Sequence, residues 1–509
     1  MDASLLHPIL TPAQTKRFEA ALFGGDEKKE WAAMTRAGTA IGEAVIADFQ
    51  EIGGVPVKDA RVLVLVGKGH NGGDALLAAK TILTQFPSAL AEVYFVFGER
   101  SLRPLAARAY QALAHAAPGR VTTTRKAVGA YSVSLDGVFG FQFHPPLEAR
   151  VAALLKQVNA LPVQLRAAVD LPSGLGAPEA FRADFTYATG CVKTPLIEDA
   201  NRAFAGRVRY LDLGFFAAGS AVPPPKAGRA MRGDFVLAAD VLAPLRALRS
   251  PQSDKRTYGH LCVVGGSRGF PGAVLMGVHA ALKAGAGLVT AFVPESLAAA
   301  YAAQLPEAMW VGWPETPSGG LALEGAHLLR ERIGRATALL IGSGLSREPE
   351  TLALAADIVS LAEIPLVIDA DALQPGIIAL ARAPHVLTPH RGEFERIAGE
   401  KTLRTFSASR PGRVTVLKGP VTEICDGGAV RHSFFGGPVL ARGGSGDLLA
   451  GMIGGLLAGD AKEPLLAACR GVSWHGLAAD ALARARGQVA VRTTELLEFL
   501  PEVLRGGAQ

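Results

Sequence analysis

Near its C-terminus the chain sets Gly443, Gly444, Ser445 and Gly446 against one carboxylate, Asp447, and a small apolar stretch, Leu448 to Ala458, follows at once. This is the outline of a loop feeding the N-terminus of a buried helix. Backbone N–H groups there, with the positive end of the helix dipole, attract an anion, and glycine lets a phosphate come close. A bound phosphate repels a neighbouring carboxylate, so Asp447 needs a chemical purpose, and taking a proton from a hydroxyl is one. The competing reading is a glycine turn whose aspartate only caps a helix.

A second group of candidates lies in the first half. Gly67-Lys68-Gly69-His70-Asn71-Gly72-Gly73-Asp74 satisfies G-x-G-x-x-G and adds two oxygen-bearing side chains, Asn71 and Asp74. The acidic residue expected about 20 positions later in a dinucleotide fingerprint is met loosely by Glu92 or Glu99. Further on, Asp136-Gly137 and Asp170-Leu171-Pro172-Ser173-Gly174 each end an apolar run. Asn71, Asp136 and Ser173 offer hard oxygen ligands suited to a monovalent or other hard cation, and Asp170 is the best general acid–base candidate.

Positioning these residues requires strands that end where they begin. The Val/Leu run Arg61 to Val66 reads as a buried parallel strand, and a helix is expected over Ala75 to Thr84. Strands over 91–97, 131–135 and 164–169 alternate with helices over 104–117 and from about Pro146, and residues 11–50 read as amphipathic helix. In the second half, Leu261–Val264, Ala338–Ile341, Leu366–Ile368, Val386–Thr388 and Val414–Lys418 read as strands. They empty into Gly265-Gly266-Ser267, Gly342-Ser343-Gly344, Asp369 with Asp371, Pro389-His390-Arg391, and Gly419-Pro420-Val421-Thr422. In an open α/β sheet, ligands bind at that edge. Taken singly, Asp369 and Asp371 read as a solvated strand end, His390 as a turn residue, Lys418 as a surface charge and His475 as a packed core histidine.

With 509 residues, 49% of them hydrophobic, the chain can bury two cores. The expected division is a first domain over 1–218, a Pro- and Gly-containing linker over 219–234, and a second domain over 235–509. A net charge of +6 with scattered Lys and Arg and 6% aromatic residues fits small anionic metabolites and argues against nucleic acid. Apolar runs are broken short of the ~18 residues a membrane span needs. Four dispersed cysteines without a C-x-x-C pair suggest reduced thiols and a cytoplasmic location. No G-x-x-x-x-G-K-[S/T] occurs, so any nucleotide is not held by a P-loop.

Asn71-Gly-Gly-Asp74, the Asp136 strand end, Asp170-Leu-Pro-Ser-Gly-Leu175 and Thr186…Lys193 resemble the YjeF N-terminal family of NAD(P)H-hydrate epimerases, over roughly residues 10–215. The resemblance implies a Rossmann-like fold and a potassium ion at Asn71, Asp136 and Ser173. It also implies substrate contacts at His70, Asn71, Gly72, Gly73, Asp74 and Gly140, with Asp170 acting on C6 of the hydrated nicotinamide ring. The chain departs from that family at His70, usually Asn, at Ala75, usually Gly, and at Gly140-Phe141-Gln142, usually Gly-Thr-Gly.

From about residue 235 to 505 the ordered segments resemble the ADP/ATP-dependent NAD(P)H-hydrate dehydratases, a ribokinase-like family, with Arg391 in place of proline and Ser445 in place of threonine. This resemblance implies that Lys418, Gly419, Pro420, Val421, Thr422 and Gly446 hold ADP or ATP with magnesium. It also implies that Ala273, Gly344, His390 and Asp447 contact the hydrated cofactor. Together the two resemblances imply one α/β chain carrying both activities, acting on NADHX and NADPHX, with no membrane or nucleic-acid partner and a homo-oligomeric state. The residues alone leave open a ribokinase-like small-molecule kinase, which needs the same anion hole and aspartate, with a non-catalytic cofactor-binding first half.

Overall fold

A computed structural model describes residues 5–52, 58–216 and 232–506. Two compact units divide the chain: one comprises 7–226 with 483–488, the other 1–6, 227–482 and 489–509. The expected linker lies mostly outside the described residues; its last two, Gly233 and Asp234, already belong to a strand.

The first unit holds a sheet built from β2 (Arg61–Val66), β3 (Leu90–Phe95), β4 (Val121–Thr123), β5 (Tyr131–Gly137), β6 (Val163–Val169), β7 (Phe185–Thr189) and β8 (Arg207–Leu211). Their order is β4-β3-β2-β5-β6-β7-β8, with every neighbouring pair parallel. Val62, Val64 and Val66 of β2 face one apolar layer and Leu63 and Leu65 another, so the strand is covered on both sides, as its unbroken Val/Leu run requires. The chain runs outward from β2 through β3 to β4, then returns to β5 on the other side. That reversal opens a crevice between the C-terminal ends of β2 and β5.

The amphipathic stretch expected over 11–50 is two helices, Pro12–Phe23 and Glu27–Phe49. Gly24, at φ +59°, ends the first in a left-handed conformation that glycine tolerates, and the Asp26 side chain caps the second. The helix expected from Pro146 begins at Ala149.

The second sheet is built from β1 (Leu6–Pro8), of which Leu6 falls in the second unit, and from that unit's β9 (Gly233–Leu237), β10 (His260–Val264), β11 (Leu288–Pro294), β12 (Met309–Trp313), β13 (Ala338–Ile341), β14 (Leu366–Ile368), β15 (His385–Leu387), β16 (Arg413–Leu417), β17 (Thr422–Cys425) and β18 (Ala429–Ser433). These form a mixed sheet ordered β1-β9-β18-β17-β16-β15-β14-β13-β10-β11-β12. The run from β12 to β16 is parallel; β17 pairs antiparallel with both β16 and β18. Here the reversal lies between β10 and β13, which brings the two glycine loops together. Gly266 N–H donates to Ser343 O at 2.9 Å and Ser267 Oγ to Gly344 O at 2.8 Å. The helices Pro271–Lys283 and Ser445–Gly459 cross in close contact, because Gly277 meets Gly451 and Ala281 meets Gly455 backbone to backbone.

Candidate functional site

In the first unit the loop after β2 opens the helix His70–Gln85. The chain can turn there only because Gly67 and Gly137 lack side chains: a Cβ on Gly67 would collide with the Val138 carbonyl, and one on Gly137 would reach 2.5 Å from Asn71 O. Asn71 Nδ2 donates to Phe139 O at 2.8 Å and to Val169 O at 2.9 Å, tying the loops after β5 and β6 to the helix start. Asp136 is fully buried: its Oδ1 accepts from Ser173 Oγ at 2.6 Å and its Oδ2 from Ser173 N–H at 2.7 Å. Burial pushes the Asp136 carboxyl up to about 6, against the pull of those hydrogen bonds.

These loops wall a cleft of about 640 Å³. His70, Asn71, Asp74, Gly140 and Asp170 all line it, whereas Gly72 and Gly73 lie buried beneath, packing the helix start against Gly67 and Met34. A Cβ on Gly140 would stand 2.7 Å from Asn71 Oδ1, so glycine is required there. Phe141 lines the cleft beside that glycine, its ring centroid 6.0 Å from Lys193 Nζ, and the space remains open. Asp170, at φ +65°, presents its carboxylate directly to the Lys193 ammonium, which also donates to Cys191 O at 3.0 Å. Burial lowers the lysine, but the Asp170 carboxylate outweighs it and holds Lys193 charged. Asp74 is raised well above the carboxylate range, by burial first and then by Asp170 and Glu19, and its Oδ1 has no hydrogen-bond partner. His70 is exposed, 3.7 Å from Glu30.

Neither acidic candidate for a dinucleotide ribose reaches this cleft. Glu92 is held 2.5 Å from Arg61 and accepts from Tyr131 OH at 2.8 Å, both at the N-terminal starts of their strands, and Glu99 is exposed beyond the end of β3. Glu19 and Lys193 are among the cleft residues to which the motifs gave no role. Glu19 comes from the Pro12–Phe23 helix, where its spacing resembles that of any helical glutamate. Lys193 carried a signal, because the Thr186…Lys193 segment stood out, but not a role.

In the second unit Gly444, at φ +89°, starts the helix Ser445–Gly459 without a side-chain cap; Ser445 N–H turns back to Arg442 O at 3.4 Å, leaving the N–H groups that follow it for a ligand. Asp447 sits in the first turn of this helix and not at its N-cap position. Lys418 Nζ lies 3.2 Å from Asp369 Oδ1, and a Cβ on Gly446 would meet that ammonium at 3.1 Å. Thr388 Oγ1 donates to the same Asp369 oxygen at 2.6 Å. Burial and then the Asp369 charge push Asp447 up to about 6, while the Ser343 hydroxyl and the Lys418 ammonium pull the other way. Ser343 Oγ is buried without a hydrogen bond of ordinary geometry. For Lys418, burial is outweighed by Asp369 and Glu393, and its basicity rises.

The other candidates gather on the same edge. A Cβ on Gly344, at φ +69°, would stand 3.0 Å from Ala273 Cβ, so these two residues are neighbours. Lys418 N–H donates to Pro389 O at 2.8 Å, which draws His390 alongside Lys418. His390 caps the helix Arg391–Ala398, its Nδ1 accepting from Glu393 N–H at 3.2 Å, and its ring is exposed. Gly419 and Pro420 form the exposed turn between β16 and β17, with Val421 and Thr422 half-buried. Asp371 does not join Asp369: it accepts from Ser346 N–H and pairs with Arg347, each at 3.1 Å. His475 is buried, and burial pulls its imidazole down to about 4, as a packed core histidine requires. The described residues contain no cluster of three or more His, Cys, Asp or Glu able to hold a metal ion, and no helix long and apolar enough to cross a membrane.

Comparison with known proteins adds two family matches: residues 31–195 to the YjeF-related protein N-terminus and residues 261–502 to NAD(P)H-hydrate dehydratase. The chain is similar to the bifunctional NAD(P)H-hydrate repair enzyme of Moorella thermoacetica, 33% identical over 93% of this chain and 92% of that one. It is also similar to the enzyme of that name from Gloeobacter violaceus, 36% identical over 98% of each. Among solved structures it resembles the ADP/ATP-dependent NAD(P)H-hydrate dehydratase of Bacillus subtilis co-crystallised with ATP and magnesium, 28% identical, with a TM-score of 0.44 over 51% of this chain and 94% of that chain.

Proposed function

Because the chain belongs to the family of bifunctional NAD(P)H-hydrate repair enzymes, we propose that its first unit interconverts the R and S epimers of NADHX and NADPHX. The second unit dehydrates the S epimer with ADP or ATP. The observation that carries this reading is Asp447, set in the first turn of an uncapped helix beside Lys418 and Asp369. We take 1–218 as the epimerase region and 235–509 as the dehydratase region.

In the second unit Asp447 takes the proton of the C6 hydroxyl, and the oxygen attacks the terminal phosphorus of the nucleotide, whose bridging P–O bond breaks to release AMP from ADP or ADP from ATP. The uncapped N–H groups of the Ser445–Gly459 helix and the Lys418 ammonium stabilise the transferring group. The C6–O bond then breaks with its electron pair leaving on inorganic phosphate, the C5 proton passes to solvent, and the C5–H pair closes the C5–C6 double bond. Lys418, Gly419, Pro420, Val421, Thr422 and Gly446 hold the nucleotide; Ala273, Gly344 and His390 hold the hydrated ring. Magnesium fits as an ion carried mainly by nucleotide phosphates, since the described residues offer no dedicated all-protein site and Mg²⁺ needs few protein ligands.

In the first unit Asp170, held by Lys193, acts at C6, while His70 to Asp74 and Gly140 seat the substrate. Potassium fits Asn71, Asp136 and Ser173: Asn71 Nδ2 and Ser173 Oγ both bond to the Phe139 backbone, Ser173 Oγ donates to Asp136, and buried Asp136 has no ion-pair partner among the described residues. A monovalent cation would supply the missing positive charge. We further place the protein in the cytoplasm as a homo-oligomer; its four cysteines, all buried and unpaired, support a reducing compartment.

The test is to give the full chain a mixture of both NADPHX epimers with ADP or ATP and magnesium and follow the near-ultraviolet absorbance of NADPH. Recovery beyond the S fraction, faster than spontaneous epimerisation, is expected. Recovery that stops at the S fraction would remove the epimerase assignment, and none at all would remove both.

A further inference from the structure

The cleft of the first unit is lined by more buried acid than its buried cation can neutralise. Buried Asp74 and Asp170 line it with half-buried Glu19; Lys193, the one buried cation lining it among the described residues, is already bound to Asp170, and Lys68 and Arg103 at its rim are exposed. Glu19 reaches the cleft from outside the sheet, on the helix Pro12–Phe23. It also lines an adjoining chamber of about 240 Å³ walled by Phe23, Met34 and Phe215. It thus lines both chambers, the first of them together with the candidate catalytic carboxylate, and makes no ion pair or side-chain hydrogen bond among the described residues. Burial first, then Asp170 and Glu30, raise the Glu19 carboxyl to about 7, with Lys193 opposing. The groups facing it are Lys16 on its own helix, Glu30, His70, Asp74, Asp170, and Lys193 with Cys191. A carboxyl that keeps its proton near neutral pH can act as the acid opposite a second carboxylate acting as base.

We propose that Glu19 is a second acid–base residue of the epimerising site, paired with Asp170 across the C6 hydroxyl of the hydrated nicotinamide. This rests on the epimerase reading of the cleft. Protonated Glu19 gives its proton to the C6 hydroxyl, the C6–O bond breaks, and water leaves. The N1 lone pair forms the C6=N1 bond, so no oxidant or reductant is needed. A water molecule then adds to C6 from the other face, the C6=N1 pair returns to N1, and Asp170 takes the proton of that water. One proton has moved from Glu19 to Asp170, and the reverse reaction exchanges their roles.

The test uses the full chain with nucleotide omitted, so that the second unit cannot turn over, and follows interconversion of purified NADPHX epimers in heavy-oxygen water. For the unaltered protein, label enters C6 with each inversion, and kcat/KM falls as pH rises through about 7, where the acid loses its proton. Glu19→Gln lowers kcat about 100-fold or more with KM little changed and loses that alkaline limb; Glu19→Asp retains the limb and part of the rate. Inversion without label, or Glu19→Gln with rate and limb intact, overturns the proposal. So does a Glu19→Gln loss confined to KM with the limb in place, which would mean that Glu19 only shapes the cleft. An unaltered protein that does not interconvert the epimers overturns the epimerase reading itself, a different result from any of these.

Discussion

Asp447 shows how burial turns an ordinary carboxylate into a base suited to neutral pH. Its desolvation and the Asp369 charge raise it to about 6, so it is largely ionised near pH 7 yet basic enough to accept a hydroxyl proton. The working form is the deprotonated one, so kcat/KM for dehydration should fall as pH drops through about 6. Asp447→Asn, isosteric but unable to take the proton, should lower kcat about 100-fold or more while thermal melting stays in place. A retained rate would refute the assignment. Asp369 illustrates what a motif reading leaves undecided. Beside Asp371 in the chain the two looked alike, but only Asp369 turns to Lys418 and Thr388, whereas Asp371 is taken up by Arg347 and the Ser346 amide. Two residues of separation within a short 3-10 turn send the carboxylates different ways, and nothing in residue type announces which.

At the scale of elements, Asp447 is held in place by the crossing of two helices rather than by its own loop. The Ser445–Gly459 helix approaches Pro271–Lys283 closely because Gly451 lies against the Gly277 carbonyl. Gly451→Ala would drive a Cβ into that carbonyl, overpacking of about 1–3 kcal/mol. The helix carrying Asp447 would shift, and displacement of about 1 Å can cost about 100-fold in rate. We expect a lower melting temperature together with slower dehydration. Gly376→Ala, where nothing lies within 4 Å of the new Cβ, should leave the melting temperature nearly unchanged. Equal melting temperatures for both variants would contradict the close-approach argument. The small residues of both helices were visible as an Ala- and Gly-rich pattern, but their partner was not, since a small-residue stripe does not say which helix it meets.

For the whole molecule, two sheets each reverse direction once, at β2/β5 and at β10/β13, and each reversal carries one candidate site. Two chemistries on separate sheets should be separable by single substitutions. Asp447→Asn should stop NADPH recovery while the epimers still interconvert. Asp170→Asn should stop interconversion while the S epimer is still dehydrated, so recovery from a mixture ends at the S fraction. Loss of both activities from either substitution would contradict the division.

What the sequence by itself determined was the local chemistry: Val/Leu runs covered on both faces, glycines where backbone must approach backbone, and carboxylates at strand ends. Each depends on neighbours in the chain, so the α/β class and candidates such as Asn71, Asp136, Asp170 and Asp447 were legible, whereas Lys418 by itself read as a surface charge. The tertiary structure alone decided what those residues face. The 11–50 stretch broke at Gly24, and that break sets apart the helix whose Glu19 enters a cleft formed by residues 49 to 174 positions away. Burial, and with it the proton affinity of Glu19, Asp74 and Asp447, comes from contacts between distant segments, because desolvation depends on what closes over a group and not on its position in the chain.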